Sequence, residues 1–133
     1  TATTKGFVME FIHAPKACAS VGPYSHCVKA GSTYYLCGQV PFHPVTGEVV
    51  GNGMKEQAVQ TLANMKAVLE AASLAVTDIA KTTVFVTNMD DFAAFNEVYA
   101  AFMGEHRPAR VCVEVSNIAH GCLLEMDAIC FKE

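Results

Sequence analysis

Hydrophobic positions recur along this 133-residue chain with two periods, and the points where one period gives way to the other divide it into elements. Alternation is strictest in Pro108-Ala109-Arg110-Val111-Cys112-Val113-Glu114-Val115 and predicts a strand over 110–116. On such a strand Val111, Val113 and Val115 share one face, and Arg110, Cys112 and Glu114 share the other. Pro108 has no N–H to give a ladder and restrains the residue before it, so it suits a strand entrance and sets Arg110 at the mouth of the sheet. A guanidinium there can clamp a carboxylate, or it can be a solvated strand-end charge. The octapeptide alone leaves both readings open.

Strands are also predicted over 6–12, 26–30, 33–37, 80–87 and 122–130. Gly31-Ser32 joins the second and third as a two-residue link with Gly first, the composition of a type II′ hairpin turn. The run from Ala14 to Pro23 and the Pro- and Gly-punctuated stretch from Gln39 to Gly53 are expected to be loops. Met54, Ala58, Leu62, Met65, Leu69 and Ala72 follow one another at spacings of four, four, three, four and three, the stripe of a helix with one buried side. Asn52 is its expected cap, and Lys66 and Glu70 an outward i, i+4 pair. Phe92, Phe95, Tyr99 and Phe102 form the stripe of a second helix, capped by Asp90 or Asp91 and stopped at Gly104. We read that aromatic stripe as core, with Asn96 the exception, because a buried amide needs partners.

The resulting order, β-β-β-α-β-α-β-β, makes the fold class α+β, a mixed sheet of about six strands in a single domain over 1–133. Right-handed crossovers would put both helices on one face. Hydrophobic residues make up 52% and charged residues 17%, apolar for so small a domain, so the bare face is expected to close against copies of itself. Small-molecule sites would then lie in clefts between subunits. The net charge of −4, with 9 Lys and Arg in no cluster, disfavours a nucleic-acid partner. No stretch approaches the roughly 18 apolar residues of a membrane span.

With no Cys-x-x-Cys pair, no dense framework and no secretory leader in view, the six cysteines are expected to be reduced. The five histidines never fall at i, i+4 or beside paired cysteines, and no metal site is expected. In the last strand Glu125 and Asp127 share a face with Leu123 and Ile129. A carboxylate in so apolar a strand needs water, a cation or an altered pKa, which marks Glu125 as a functional candidate unless it lies on an edge facing solvent. Gly38 fits either close approach of a ligand or a bulge.

Several short motifs in one order carry a resemblance. They are Gly22-Pro23-Tyr24-Ser25, Gly38-Gln39-Val40-Pro41, Pro44-Val45-Thr46-Gly47-Glu48, Gln57 with Gln60, Asn64, Lys81-Thr82-Thr83-Val84-Phe85-Val86, Asp91-Phe92 with Asn96 and Tyr99, Pro108-Ala109-Arg110, and Glu114-Val115. Together they span nearly the whole chain, which resembles the Rid (reactive intermediate deaminase) family, its RidA subgroup in particular. The resemblance implies a chorismate-mutase-like α+β fold, a homotrimer with sheets lining its centre, and three sites at the subunit interfaces. It implies hydrolysis of enamines and imines such as 2-aminoacrylate and 2-iminopropanoate to a 2-keto acid and ammonia, with no cofactor. A cytoplasmic location is expected, with a mitochondrial one left open.

Matched residue by residue, the resemblance gives Arg110 the substrate carboxylate and Glu125 the attacking water and its protons. Tyr24 closes the pocket from the neighbouring subunit, Gly38 presents its backbone, Cys112 lines the wall and Asn96 adds polar contacts. A fork of N–H donors suits a planar carboxylate, which lysine would bind less well. Four departures rim the expected pocket: Cys37 where Ser is usual, a longer loop from Pro15 to Gly22, Arg107 where an aromatic residue is common, and Ala119 for Pro. Two other functions remain as alternatives, ribonuclease or translation-inhibiting activity and non-catalytic ligand binding or chaperoning on the same fold.

Overall fold

The computed structural model describes residues 8–133. Six strands form one sheet: β1 (Met9–Ile12), β2 (Cys27–Ala30), β3 (Thr33–Gln39), β4 (Ile79–Val86), β5 (Ala109–Glu114) and β6 (Leu124–Phe131). Helix α1 (Met54–Ala71) lies between β3 and β4 in the chain, and α2 (Phe92–Met103) between β4 and β5. The spatial order is β1-β2-β3-β6-β4-β5, in which only β4 and β5 pair parallel. The last strand thus slots between β3 and β4, so the first crossover skips one position and the second joins neighbours. Both cross in the same direction, and right-handedness places both helices on one face.

That face carries the main core. Phe95 of α2, Met65, Val68 and Leu69 of α1, and Val84, Val86, Leu124 and Met126 of the sheet are fully enclosed. The stripe expected for α1 is its buried side, with Met54, Ala58, Leu62, Met65 and Leu69 all inside. Lys55 Nζ meets Glu97 Oε2 at 2.9 Å and ties α1 to α2 on the surface. The ion pairs among the described residues are this one and Lys29 with Glu10, not the expected Lys66 and Glu70.

Boundaries depart from the sequence reading where local bonds outweigh alternation. The first strand covers 9–12; the expected residues 6 and 7 lie outside the described range. The third continues past Cys37 to Gln39 through a register break between Leu36↔Ala128 and Gln39↔Met126. The last starts at Leu124 because a single 3-10 turn, Ala119–Gly121, occupies the chain before Cys122. Gly53, not Asn52, holds the cap position of α1, and the Asn52 N–H instead donates to Glu56 Oε1 at 3.3 Å. A 3-10 turn, Met89–Asp91, leads into α2, and Asn88 caps it by accepting from Asp90 N at 2.9 Å. Asp91 holds the cap position of α2 without a capping bond, and Gly104 ends that helix at φ +63°, as expected. In the β2–β3 hairpin Gly31 has φ +64° and Ser32 does not, the II′ signature.

The opposite face has no helix over it. Register places Phe11, Tyr35, Ile129, Thr83, Phe85, Val111 and Val113 there, and Phe11 is 67%, Val111 44% and Val113 41% exposed. At one end of this face Phe42, Ile118 and Cys122 form a second, smaller cluster with Phe85 packed against it.

Candidate active site

Strand register divides the expected site residues into two groups. Arg110 pairs with Thr82 and Cys112 with Val84, both buried under the helices, so the Arg110 side chain lies on the helix face at the β5 edge. Glu125 pairs with Phe85, whose neighbours Val84 and Val86 point into the main core, so Glu125 lies on the bare face. Within one chain the two therefore sit on opposite sides of the sheet.

Arg110 is held from three directions by α2. Its Nη1 donates to Asn96 Oδ1 at 2.8 Å, and its guanidinium carbon lies 4.8 Å from the Tyr99 ring centre and 5.3 Å from that of Phe92. Ring faces attract a guanidinium, and the amide fixes its rotation. Tyr99 is itself anchored, its hydroxyl sharing a 2.7 Å hydrogen bond with Thr82 Oγ1. The other guanidinium N–H groups can serve a ligand in a cleft of about 310 Å3 lined by Asn96, Tyr99, Ala100, Met103, Arg107, Pro108 and Arg110. Cys112 packs against the main core and does not line this cleft. Tyr99 belongs to the buried core, as the stripe predicts, and with Phe92 it also walls the arginine slot, a role that helical periodicity alone cannot separate from packing.

The second group surrounds a cavity of about 340 Å3 lined by Tyr24, His26, Cys37, Gly38, Gln39, Phe42, Ala119 and Glu125, among others. Tyr24 thus shares a cavity with Glu125 of its own chain. Gly38 fits the bulge reading. It lies in the register break of β3, and a Cβ there would collide with the Glu125 carboxylate. The carboxylate is packed over the Gly38 backbone because that position has no side chain. Burial, and after it the charge of Asp127, hold the Glu125 carboxyl above the usual carboxylate range.

The walls of this cavity are fixed by buried polar bonds that hydrophobic spacing did not reveal. His26 accepts at Nδ1 from Ala14 N, 2.9 Å, so its Nε2 carries the proton and donates to Cys18 O at 2.8 Å. A neutral imidazole thereby pins the 14–18 loop. From α1, Asn64 Nδ2 donates to Val40 O at 2.9 Å and Phe42 O at 2.8 Å, and Gln60 donates to Asn64 Oδ1. Gln57 donates to Gly51 O and accepts from Leu123 N at 2.8 Å, just ahead of Glu125. Cys37 Sγ accepts from Gln39 Nε2 at 3.1 Å.

Burial raises the thiols of all six free cysteines, to about 11 in Cys27 and Cys122 and about 12 in Cys130. None is poised as a thiolate. Among the described residues no three His, Cys, Asp or Glu side chains gather as a metal site, and no helix is long and apolar enough to cross a membrane.

Comparison with known proteins bears on these geometries. A family model described as Endoribonuclease L-PSP matches residues 13–132. A RutC family protein of Pyrococcus horikoshii is 47% identical over 124 residues, 93% of this chain and 98% of that protein. The 2-iminobutanoate/2-iminopropanoate deaminase of Escherichia coli is 44% identical over 124 residues, 91% of this chain and 96% of its own. Among solved structures, TdcF of E. coli with bound serine superposes with a TM-score of 0.88 at 40% identity, covering 93% of this chain and 99% of that one. RidA from an Antarctic Psychrobacter gives 0.88 at 41%, covering 92% and 99%. Matches this long and this close, on the fold described above, make the chain a member of the Endoribonuclease L-PSP family, the group that includes the RidA- and RutC-type proteins.

Proposed function

We propose that the protein hydrolyses 2-imino acids, and their enamine tautomers, to 2-keto acids and ammonia, as the name of the E. coli relative describes for that enzyme. The observation that carries this reading is the Arg110 slot. A guanidinium clamped by Asn96, Tyr99 and Phe92 is a preorganised receptor for a small carboxylate. The substrate, R–C(=NH)–COO⁻, takes up one water and leaves as R–C(=O)–COO⁻ and NH3, so neither cofactor nor redox partner is needed.

Water must be placed on the C=N carbon, and protons must move from that water to the departing nitrogen. Glu125 is the group we assign to both tasks. Its raised pKa brings acid and base forms closer in population near neutral pH, which suits a residue that takes a proton and returns it. Tyr24 and the Gly38 backbone would bound the substrate on the Glu125 side.

Because Arg110 and Glu125 lie on opposite faces of one sheet, the reading requires a second chain. We assign the protein a homotrimeric assembly in which the exposed apolar face packs on copies of itself, and the Arg110 cleft of one subunit meets the Glu125 cavity of the next. The opposed placement and the bare face with exposed Val111 and Val113 support this arrangement.

The test is release of keto acid from 2-iminopropanoate generated in place by an amino-acid oxidase with catalase present. Acceleration over the spontaneous rate is expected, and its absence with the assembly intact would overturn the reading. Ribonuclease activity, which the family description names, finds no support in a chain of net charge −4. Any RNA cleavage in preparations is expected to survive Arg110→Ala and to separate on further purification.

A further inference from the structure

Arg107 occupies a position where an aromatic side chain was expected, and it lines the same cleft as Arg110 and Asn96. Pro108 keeps residue 107 extended, so at roughly 3.3 Å per residue the two arginine Cα atoms stand about 10 Å apart. Arg107 is not loose. Its Nη1 donates to Gly104 O at 2.6 Å and to His106 O at 3.0 Å, which fixes the head just beyond the C-terminus of α2. That end of a helix favours a cation. Both acceptors are neutral carbonyls, so the full positive charge remains available to a ligand.

A cleft with Arg110 alone holds one carboxylate. With a second guanidinium fixed on the same cleft, it can straddle a carbon chain and hold a carboxylate at each end. We infer that Arg107 makes the site selective for dicarboxylic 2-imino acids, those derived from four- and five-carbon acidic amino acids, by binding the carboxylate remote from the imine. This inference rests on the deaminase reading above and deepens it. The chemistry is unchanged: water adds across C=N, ammonia leaves, and the product is a 2-keto dicarboxylate. Reactions that oxidise or dehydrogenate acidic amino acids are the class that would supply such substrates.

The test compares kcat/KM for 2-iminosuccinate and 2-iminopropanoate, made in place from aspartate and alanine by matching oxidases with catalase. The native protein is expected to favour the dicarboxylic imine, and the ratio should fall about tenfold in Arg107→Ala, as loss of one exposed charge-assisted contact implies. Arg107→Lys should restore part of it. Added salt should erode the ratio in the native protein more than in Arg107→Ala. A ratio that does not change between native protein and Arg107→Ala overturns the inference while leaving the deaminase reading in place.

A binding measurement separates the two failures. If neither imine is hydrolysed, calorimetry with 2-oxoglutarate and 2-oxobutanoate still reads the cleft. Preference for the diacid that is lost in Arg107→Ala supports the role of Arg107 and removes only the chemistry, whereas equal binding removes both. Melting curves of Arg107→Ala and Arg107→Lys identify any loss that comes from releasing Gly104 O instead.

Discussion

At the scale of single residues, the proposed chemistry turns on how Arg110 and Glu125 are held. Arg110 has an amide and two rings fixing it, so its removal should cost chemistry before it costs the fold. Arg110→Ala is expected to lower kcat/KM by about 100-fold or more, the scale of losing a bidentate charge-assisted pair, with circular dichroism unchanged. Arg110→Lys should recover little, because a point charge does not reproduce the fork. Glu125 makes a different prediction through its raised pKa. A carboxyl whose folded pKa lies above its unfolded value favours the native state while protonated, and that contribution is lost as pH rises through the folded pKa. Glu125→Gln stays neutral throughout, so it should melt above the native protein at pH 7, and the gap should close below the ordinary glutamate range near pH 4.3. The same variant should lower kcat more than it raises KM, and the acid limb of the native pH–rate profile should inflect above that range. Alternation made the Arg110 face legible in the sequence, since period two needs no tertiary information. The ring slot was not legible, because Phe92 and Tyr99 fall on the same helical stripe as Phe95, which is wholly buried.

At the scale of elements, the site depends on loops hung from α1 by buried amides. Asn64 holds two carbonyls of the segment after β3, and removing it leaves Phe42 O unpaired, while Val40 O keeps the Phe42 N–H at 2.8 Å. Asn64→Ala is expected to destabilise the fold by about 1–3 kcal/mol in urea unfolding, the scale of one buried polar group left unpaired. A Cβ at residue 38 has no room beside the Glu125 carboxylate, so Gly38→Ala should impair turnover beyond any loss in melting temperature. Each predicted strand and helix exists, and the hairpin turn has the type its composition demanded. What slipped were the ends. Strand β3 runs through its bulge because Gln39 pairs again with Met126, and Gly53 holds the cap position of α1 while the Asn52 backbone N–H donates to Glu56. Such bonds join residues by contact, and no window of hydrophobic spacing records them. Gln57 and Asn64, two of the buried polar members of α1, serve loop carbonyls and the Leu123 N–H just ahead of β6.

At the scale of the whole molecule, the decisive feature is the insertion of β6 between β3 and β4. Alternation tells which residues share a face within one strand, but the relation between faces of different strands follows only from register. That is why Arg110 and Glu125 could be read as neighbours from the sequence and are found on opposite sides of the sheet. The bare face with Val111 and Val113 exposed was legible, because right-handed crossovers put both helices on the other face. A charge placed there should disperse the proposed trimer: Val113→Glu is expected to sediment as a single chain and to lose turnover although Arg110 and Glu125 are intact.

The most direct measurement mixes two inactive variants, Arg110→Ala and Glu125→Gln, unfolds and refolds them together at equal concentration, and compares turnover with each refolded alone. If each site takes its arginine from one subunit and its carboxylate from the next, random assembly leaves about one site in four with both groups, and up to roughly a quarter of native activity should return. A mixture as inactive as its parents, with mixed assemblies confirmed by mass, would contradict a site built between chains.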